Sequence, residues 1–221
     1  MGSRGQSSAS RKKVKTISGD VAEGGLGHDR FSPQDAATDR MAEYLGVSEK
    51  EAAEFSNAIY GFTGDYCENI RAVQNNDTEK LEKFNPKMRE VMEKYAQNVE
   101  KYISLAPKWD GGATHRGISI DKKDIENYKI GDKIDVNRGT ASWSSSIKTA
   151  EDFAATKKGG KNPVVFSCDS QSKGTSIKHL SEYEMEDEVM VSKKAKYMIT
   201  SIKKGHALGE EITYVKVKEV R

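Results

Sequence analysis

The chain has 221 residues, of which 35% are hydrophobic and 32% are charged. This balance is typical of a globular domain with a well-solvated surface. The 36 basic and 34 acidic side chains leave a net charge of +2, too small to predict nucleic acid as a partner. Cys67 and Cys168 have no metal-binding spacing, and no apolar run is long enough to cross a bilayer. We therefore expect neither a metal nor a membrane partner, whereas pairing of the two cysteines stays open.

Residues 1–30 are rich in glycine, serine and basic side chains and contain few large apolar groups. Such a segment buries too little surface to offset its ordering entropy, so we predict a disordered basic arm. It lacks the apolar stretch of a secretory signal, and we expect the protein to stay where it is made or to leave by another route. Residues 31–221 are expected to form one domain, helical over 31–107 and β-rich over 108–221.

Capping residues and helical spacing of apolar side chains predict a helical first half. Ser48 and Asn85 stand where helix N-caps are expected, and Gly46 stands where a helix ends in the left-handed conformation. The four predicted helices span residues 33–45, 49–61, 66–73 and 86–103.

After residue 112, short runs typical of strands alternate with turns, interrupted by one predicted helix at 148–156. Helices first and strands later predict an α+β fold, with helices packed on one side of a mostly antiparallel sheet assembly. The predicted strands span residues 114–120, 164–168, 188–191, 197–202 and 212–217.

Two groups of charged residues could carry chemistry. Glu186 and Glu188 are two apart, and in a strand both would lie on one face, with Asp187 on the other. Carboxylates held together do not ionise alike, which suits an acid and base pair. Arg116 precedes Gly117, so a forked donor for phosphate lies beside backbone that a ligand can approach.

A third group consists of the serines at 142 and 144–146, which surround Trp143 and precede the helix that contains Phe153. Hydroxyls on a strand can orient a carboxylate, and an aromatic side chain can support a flat ring. Each group also has a simpler explanation: an exposed acidic turn, a surface arginine, or a loop that caps a helix. A functional interpretation therefore requires all three groups together.

In order and spacing, the three groups resemble the arginine–serine–glutamate class of mono-ADP-ribosyltransferases. The stretch from Ile177 through Ser181 and Tyr183 to Glu188 is similar to that family's glutamate motif. Upstream, residues 58–70 resemble its tyrosine–threonine–glycine segment. The resemblance covers residues 32–221 and is specific because four blocks match in order.

The resemblance implies a fold in which NAD binds in a cleft between two mostly antiparallel β-sheets, with the N-terminal helices packed against this core. It implies that Arg116 holds a phosphate of NAD and that Gly117 opens its backbone to the nicotinamide amide. Ser146 would support the serine strand. Tyr66 and Asn69 would line the cleft.

The same resemblance implies the catalytic roles. Glu188 would bind the 2′-hydroxyl of the nicotinamide ribose and stabilise the positive charge as nicotinamide leaves, oriented by Ser144. Glu186 would orient an acceptor arginine and take its proton, because families that modify asparagine or cysteine have glutamine there. Tyr183 would be the aromatic residue of the substrate-recognition turn.

The implied function is that of an NAD-dependent mono-ADP-ribosyltransferase acting on an exposed arginine of a protein partner, without a metal. An NAD glycohydrolase using the same site, with water as acceptor, is one alternative. A catalytically inactive binding module with a basic arm is another. Such enzymes occur as bacterial toxins and phage-encoded proteins, and we expect a cytoplasmic, phage-delivered or non-classically secreted protein. The target and the oligomeric state stay open.

The sequence departs from the family pattern at two places. His115 stands where tyrosine or another aromatic residue is usual. The strand predicted at 164–168 lacks the basic residue that some members have, so a second phosphate contact is unassigned.

Overall fold

The computed structural model describes residues 13–14, 30–31, 36–156, 161–178, 180–181 and 184–220. Most of the predicted arm, the predicted start of the first helix and Tyr183 lie outside these residues. The disordered arm and the role of Tyr183 therefore stay predictions. No helix in the described part of the chain is long and apolar enough to span a membrane.

Helices form the first half of the described domain, and local chemistry explains where they begin and end. The side chain of Ser48 accepts a hydrogen bond from the Glu51 amide at 3.2 Å, and that of Asn85 accepts one from the Met88 amide at 2.8 Å. Gly46, at φ +66°, ends the first helix as predicted. The helices are α1 (Ala36–Leu45), α2 (Glu49–Thr63), α3 (Cys67–Asn75), α4 (Thr78–Leu81) and α5 (Pro86–Leu105).

Strands dominate the second half, as predicted, but within the described residues two α-helices interrupt them and not one, since the helix Lys122–Glu126 was not foreseen. The one-turn α4 was not foreseen either. Two short strands precede the helices, β1 (Lys13–Val14) and β2 (Arg30–Phe31), which pair antiparallel. The later elements are β3 (Thr114–Ile120), α6 (Lys122–Glu126), β4 (Lys133–Ile134), β5 (Ala141–Ser144), α7 (Ile147–Thr156), β6 (Asn162–Cys168), β7 (Gly174–Ser176), a 3₁₀ helix (Glu184–Glu186), β8 (Glu188–Val191), β9 (Lys196–Ala207) and β10 (Glu210–Val220).

Strands β3 to β10 form one sheet in the order β4-β9-β10-β6-β3-β5-β8-β7. Every neighbouring pair is antiparallel except β10 and β6. The α+β prediction is confirmed, but the expected division into two sheets is not seen. Strand β3 pairs with β5 through a single residue pair, His115 with Ser144, so the strand pairing between the two halves of the sheet is short. The strand pattern alone could not reveal this junction.

Three hydrophobic clusters form the core of the described domain, and the smallest packs Ala150 and Ala154 of α7 against Val165 and Ile212 of the sheet. The largest one fills the helical half, with Phe55, Ile59 and Val99 fully buried, and it also includes Ile177 and Met190 from the segment around β8. The second covers one face of the sheet. Since burial of each large apolar side chain contributes about 1.5–3 kcal/mol, the largest cluster fixes β8 firmly against the helices.

Gly117 lies where helix α7 crosses strand β3. A Cβ atom at this position would lie 1.7 Å from the carbonyl oxygen of Ala150, which no side chain can accommodate. The glycine following Arg116 therefore has a packing reason in addition to the ligand contact suggested by the sequence.

We predict that Gly117→Ala lowers the free energy of unfolding by about 3 kcal/mol or more, because α7 must move away from the sheet. Urea denaturation measures this loss. Ser119→Ala, two residues along the same strand, adds no atom. It removes a hydroxyl that donates to the Ala154 oxygen at 3.3 Å, and it should cost about 1 kcal/mol. Equal losses in the two variants would contradict the packing role of Gly117.

Candidate active site

A cleft of about 300 Å³ lies where α2, α3, β3, β5 and α7 meet the start of β8. This volume is at the lower end of the range of about 300–1,000 Å³ usual for small-molecule sites. Members of all three sequence groups line it: Arg116, Gly117, Ser142, Trp143, Ser144, Phe153, Glu186 and Glu188. A larger depression of about 730 Å³ lies at the α1–α2 turn, lined by residues between Ala42 and Lys50. Among the described residues, none that lines this depression has a buried side-chain polar atom without a hydrogen bond.

Glu188, the first residue of β8, is only 3% exposed. Ser181 Oγ donates a hydrogen bond to its Oε2 at 3.0 Å, whereas Oε1 has no partner of good geometry among the described residues. Burial raises the pKa of Glu188 to about 7, against the hydroxyls of Ser142 and Ser181, which stabilise the charged form. The carboxyl group is therefore close to half ionised at neutral pH.

Glu186 does not lie in the strand that contains Glu188. It ends the 3₁₀ helix, and the next residue, Asp187, takes a left-handed backbone with φ +46° and pairs with Lys178. Because this turn breaks the strand, the prediction that alternation puts the two glutamates on one face is wrong. Both side chains nevertheless line the cleft.

The serine strand contacts the glutamates differently from the prediction. Ser144 Oγ donates to the backbone oxygen of Glu186 at 2.6 Å, so it fixes the turn and does not contact the Glu188 carboxylate as expected. Ser142, two residues earlier on the same face of β5, is the serine of this strand that stabilises that carboxylate. Ser146 accepts the Thr149 amide at 3.3 Å and so caps α7.

Arg116 is held by a neutral acceptor. Its Nη1 donates to the backbone oxygen of Ser142 at 2.7 Å, while its Nε is buried without a partner among the described residues. Burial, assisted by Arg71, lowers the pKa of Arg116 to about 9, so the group is still a cation at neutral pH. A carbonyl fixes the guanidinium without neutralising it, which leaves its charge available to an anion.

Arg71 is a second cation in the cleft, and the sequence did not reveal it. Its Nε donates to the Thr140 backbone oxygen at 2.8 Å, and its Nη1 pairs with Glu68 at 3.1 Å. Its guanidinium carbon also lies 5.3 Å from the centre of the Phe62 ring. No local motif marks this arginine, because its partner is 69 residues away in the chain.

Tyr66 and Asn69 are not among the residues that line the cleft. Tyr66 is buried in the helical core, with its ring 6.3 Å from that of Tyr95. Tyr66 therefore contributes to packing, whereas the expected contact of Tyr66 and Asn69 with NAD stays a prediction. Their neighbours Thr63, Gly64, Asp65, Cys67 and Glu68 line the cleft.

His115 lines the cleft, with Nδ1 2.8 Å from Ser167 Oγ. Burial lowers the pKa of His115, so the imidazole is neutral at pH 7. Cys67 and Cys168 are both free thiols. Within the described ranges, no group of three His, Cys, Asp or Glu side chains could hold a metal ion.

No protein-family model and no curated protein sequence matches the chain. Solved structures do. The Vis toxin, an ADP-ribosyltransferase from Vibrio splendidus, superposes with a TM-score of 0.60 at 17% identity, over 96% of this chain and 89% of that one. The chain has the ADP-ribosyltransferase fold.

Other members of this fold superpose as well. The C3 exoenzyme of Clostridium limosum gives a TM-score of 0.55 at 15% identity, over 97% of this chain and 99% of that one. Vis in complex with agmatine gives 0.58 at 18% identity, over 83% and 84% of the two chains.

The raised pKa of Glu188 predicts a specific dependence of stability on pH. A carboxyl group with a pKa of about 7 when folded, against an ordinary 4.5, stabilises the fold in its protonated form. That contribution, about 3 kcal/mol, is complete below pH 4.5 and is lost as the pH rises through 7. Glu188→Gln cannot ionise. Urea denaturation should therefore show its stability relative to wild type rising by about 3 kcal/mol from pH 4.5 to 8. A constant difference would contradict the raised pKa.

Proposed function

We propose that this protein transfers ADP-ribose from NAD to arginine side chains of a target protein and releases nicotinamide. One observation carries the proposal: the cleft contains a buried acceptor, Glu188 Oε1, and a buried donor, Arg116 Nε, and neither has a hydrogen-bond partner of good geometry among the described residues. Leaving such groups unpaired costs about 1–3 kcal/mol each, so a ligand that satisfies both is favoured. NAD carries donor hydroxyls and acceptor phosphates.

The two arginines suit the diphosphate of NAD. Arg116 and Arg71 both line the cleft, and each is fixed by a backbone carbonyl on or next to β5. Guanidinium groups bind phosphate oxygens through paired N–H donors. Arg71 thereby supplies the second phosphate contact that the sequence left unassigned.

Glu188 suits the ribose next to the scissile bond. A ribose hydroxyl would donate to Oε1, and the carboxylate would stabilise the positive charge that develops on the sugar when the C1′–nicotinamide bond breaks. Nicotinamide leaves with the bonding electron pair. Burial of the carboxylate strengthens this electrostatic effect.

Glu186 supports arginine as the acceptor. A guanidinium nitrogen forms the new bond to C1′ and must lose a proton, which a carboxylate at the cleft can accept. Glu186 lines the cleft, and Ser144 anchors its backbone. Vis was crystallised with agmatine, a small guanidinium compound, and this supports the same acceptor chemistry here.

The two alternatives make different predictions. An NAD glycohydrolase would release nicotinamide at a rate that does not depend on agmatine. A binding module would release none. We favour transfer because a second carboxylate, Glu186, lines the cleft together with Glu188, and hydrolysis requires no carboxylate to orient a guanidinium.

We predict that Glu188→Gln reduces nicotinamide release at least about a hundredfold, because the sugar cation loses its counter-charge. Glu186→Gln should keep NAD hydrolysis within about tenfold while abolishing ADP-ribosyl-agmatine. Chromatography of the reaction mixture measures both the released nicotinamide and the ADP-ribosyl-agmatine.

Asp187→Asn is the matched control, because this carboxylate lies between the two glutamates in the chain but pairs with Lys178. It should keep both activities. If Glu186→Gln and Glu188→Gln lose hydrolysis equally, the division of roles is wrong. If wild type releases no nicotinamide, the transferase proposal fails.

A further inference from the structure

Two backbone carbonyls, two residues apart, hold the two arginines of the cleft. The Thr140 oxygen accepts from Arg71 Nε at 2.8 Å, and the Ser142 oxygen accepts from Arg116 Nη1 at 2.7 Å. One arginine comes from helix α3 and the other from strand β3, so segment 140–142 joins the helical half to the sheet half at the cleft. The position of this segment sets the spacing between the two cations.

Thr140 is held on every polar atom. Its amide donates to Gln74 Oε1 at 2.7 Å, and its hydroxyl accepts from Gln74 Nε2 at 2.8 Å. The same hydroxyl donates to Glu100 Oε1. Thr140 is completely buried, so each of these bonds is made away from bulk water, where loss of a partner is costly.

Glu100 extends the support to strand β8. Its Oε2 accepts from Ser192 Oγ at 2.7 Å, and its Oε1 accepts from the Lys193 amide at 3.0 Å. Ser192 directly follows β8, the strand that begins with Glu188. One carboxylate on α5 thus ties the start of β5 to the end of β8.

The turn before Thr140 is built for close approach to α3. Gly139 has φ +104°, and a Cβ atom there would lie 2.9 Å from Gln74 Oε1 and 3.1 Å from Arg71 Cγ. Arg138, with φ +47°, also takes the left-handed conformation. Glycine takes a positive φ without strain, but a side chain at Arg138 makes this conformation costly unless its contacts hold it, which indicates that the turn is fixed in place.

We infer that Gln74 and Glu100, neither of which lines the cleft, are positioning residues that fix Arg71 and Arg116 as a preformed site for a diphosphate, acting through Thr140. This inference deepens the proposed function, on which its relevance to NAD rests. Preorganised cations bind a dianion more tightly than free side chains do, because less freedom is lost on binding. A fixed pair also restricts where the rest of the dinucleotide can lie relative to Glu188.

The test measures binding of inorganic pyrophosphate to the full chain by calorimetry, which does not depend on catalysis. Gln74→Met keeps the volume of the side chain but loses both bonds to Thr140, and it should raise the Kd about tenfold. Thr140→Val, which keeps the shape and both backbone bonds, should raise it by about threefold to tenfold.

Asn75→Ala is the matched control. Asn75 is the neighbour of Gln74 and donates to the same turn, to the Arg138 oxygen at 3.0 Å, but it makes no bond to Thr140. Its Kd should stay within about twofold of wild type. In an Arg71→Met background, Gln74→Met should have at least threefold less effect, because its route through Arg71 is gone. Glu100→Gln, which keeps one carbonyl acceptor, should weaken binding less than Glu100→Ala.

Equal effects of Gln74→Met and Asn75→Ala would overturn the inference, as would wild type that does not bind pyrophosphate. Steady-state kinetics distinguishes a failure of this inference from a failure of the proposed function. In Gln74→Met the KM for NAD should rise about tenfold with kcat within about threefold, since the phosphates are held equally before and during reaction. If Gln74→Met turns over NAD with an unchanged KM, the inference is wrong and the proposed function is not. If Gln74→Met selectively loses pyrophosphate binding but wild type shows no NAD turnover, the proposed function is wrong and the inference is not.

Discussion

The site depends on keeping a carboxylate in the protein interior with no ion pair to any residue that the structure describes. Glu188 has a hydroxyl donor for one oxygen and none of good geometry for the other, and burial is the main reason that its pKa rises. Such a group lowers stability once it ionises, so the surrounding structure must hold it in place. The helical core does this by packing Ile177, Leu180 and Met190 around the strand that carries it.

Each of the two arginines in the cleft donates to a backbone carbonyl, which is a neutral partner, unlike the carboxylate of a salt bridge. A carboxylate partner would neutralise a guanidinium and compete with an anionic ligand, whereas a carbonyl only orients it. Arg116 has a carbonyl alone, and Arg71 has a carbonyl together with the exposed Glu68. The more deeply buried arginine therefore keeps the stronger field, because water screens it least.

The elements with strong local signals could be predicted from the sequence. Strands β3 and β8 and the caps at Ser48 and Asn85 lie where alternation and capping placed them. The failures have two causes: backbone conformation at single turns, and contacts between distant parts of the chain. The left-handed Asp187 breaks an apparent strand, and Arg71 gains its place through a carbonyl from another element. A better use of alternation would have selected Ser142, which shares a face of β5 with Ser144.

Some motif residues have structural roles that explain them without a ligand. Gly117 is required by the crossing of α7, Ser144 anchors the turn at Glu186, and Tyr66 packs in the core. These residues are therefore stronger evidence for the fold than for the reaction. Glu188 Oε1 and Arg116 Nε are different, because nothing in the described structure satisfies them. A protein that needed only the fold could replace both with apolar groups of similar shape at little cost. The chemistry is therefore best assigned from these two atoms, and they favour a ligand with both a hydroxyl donor and an anionic acceptor.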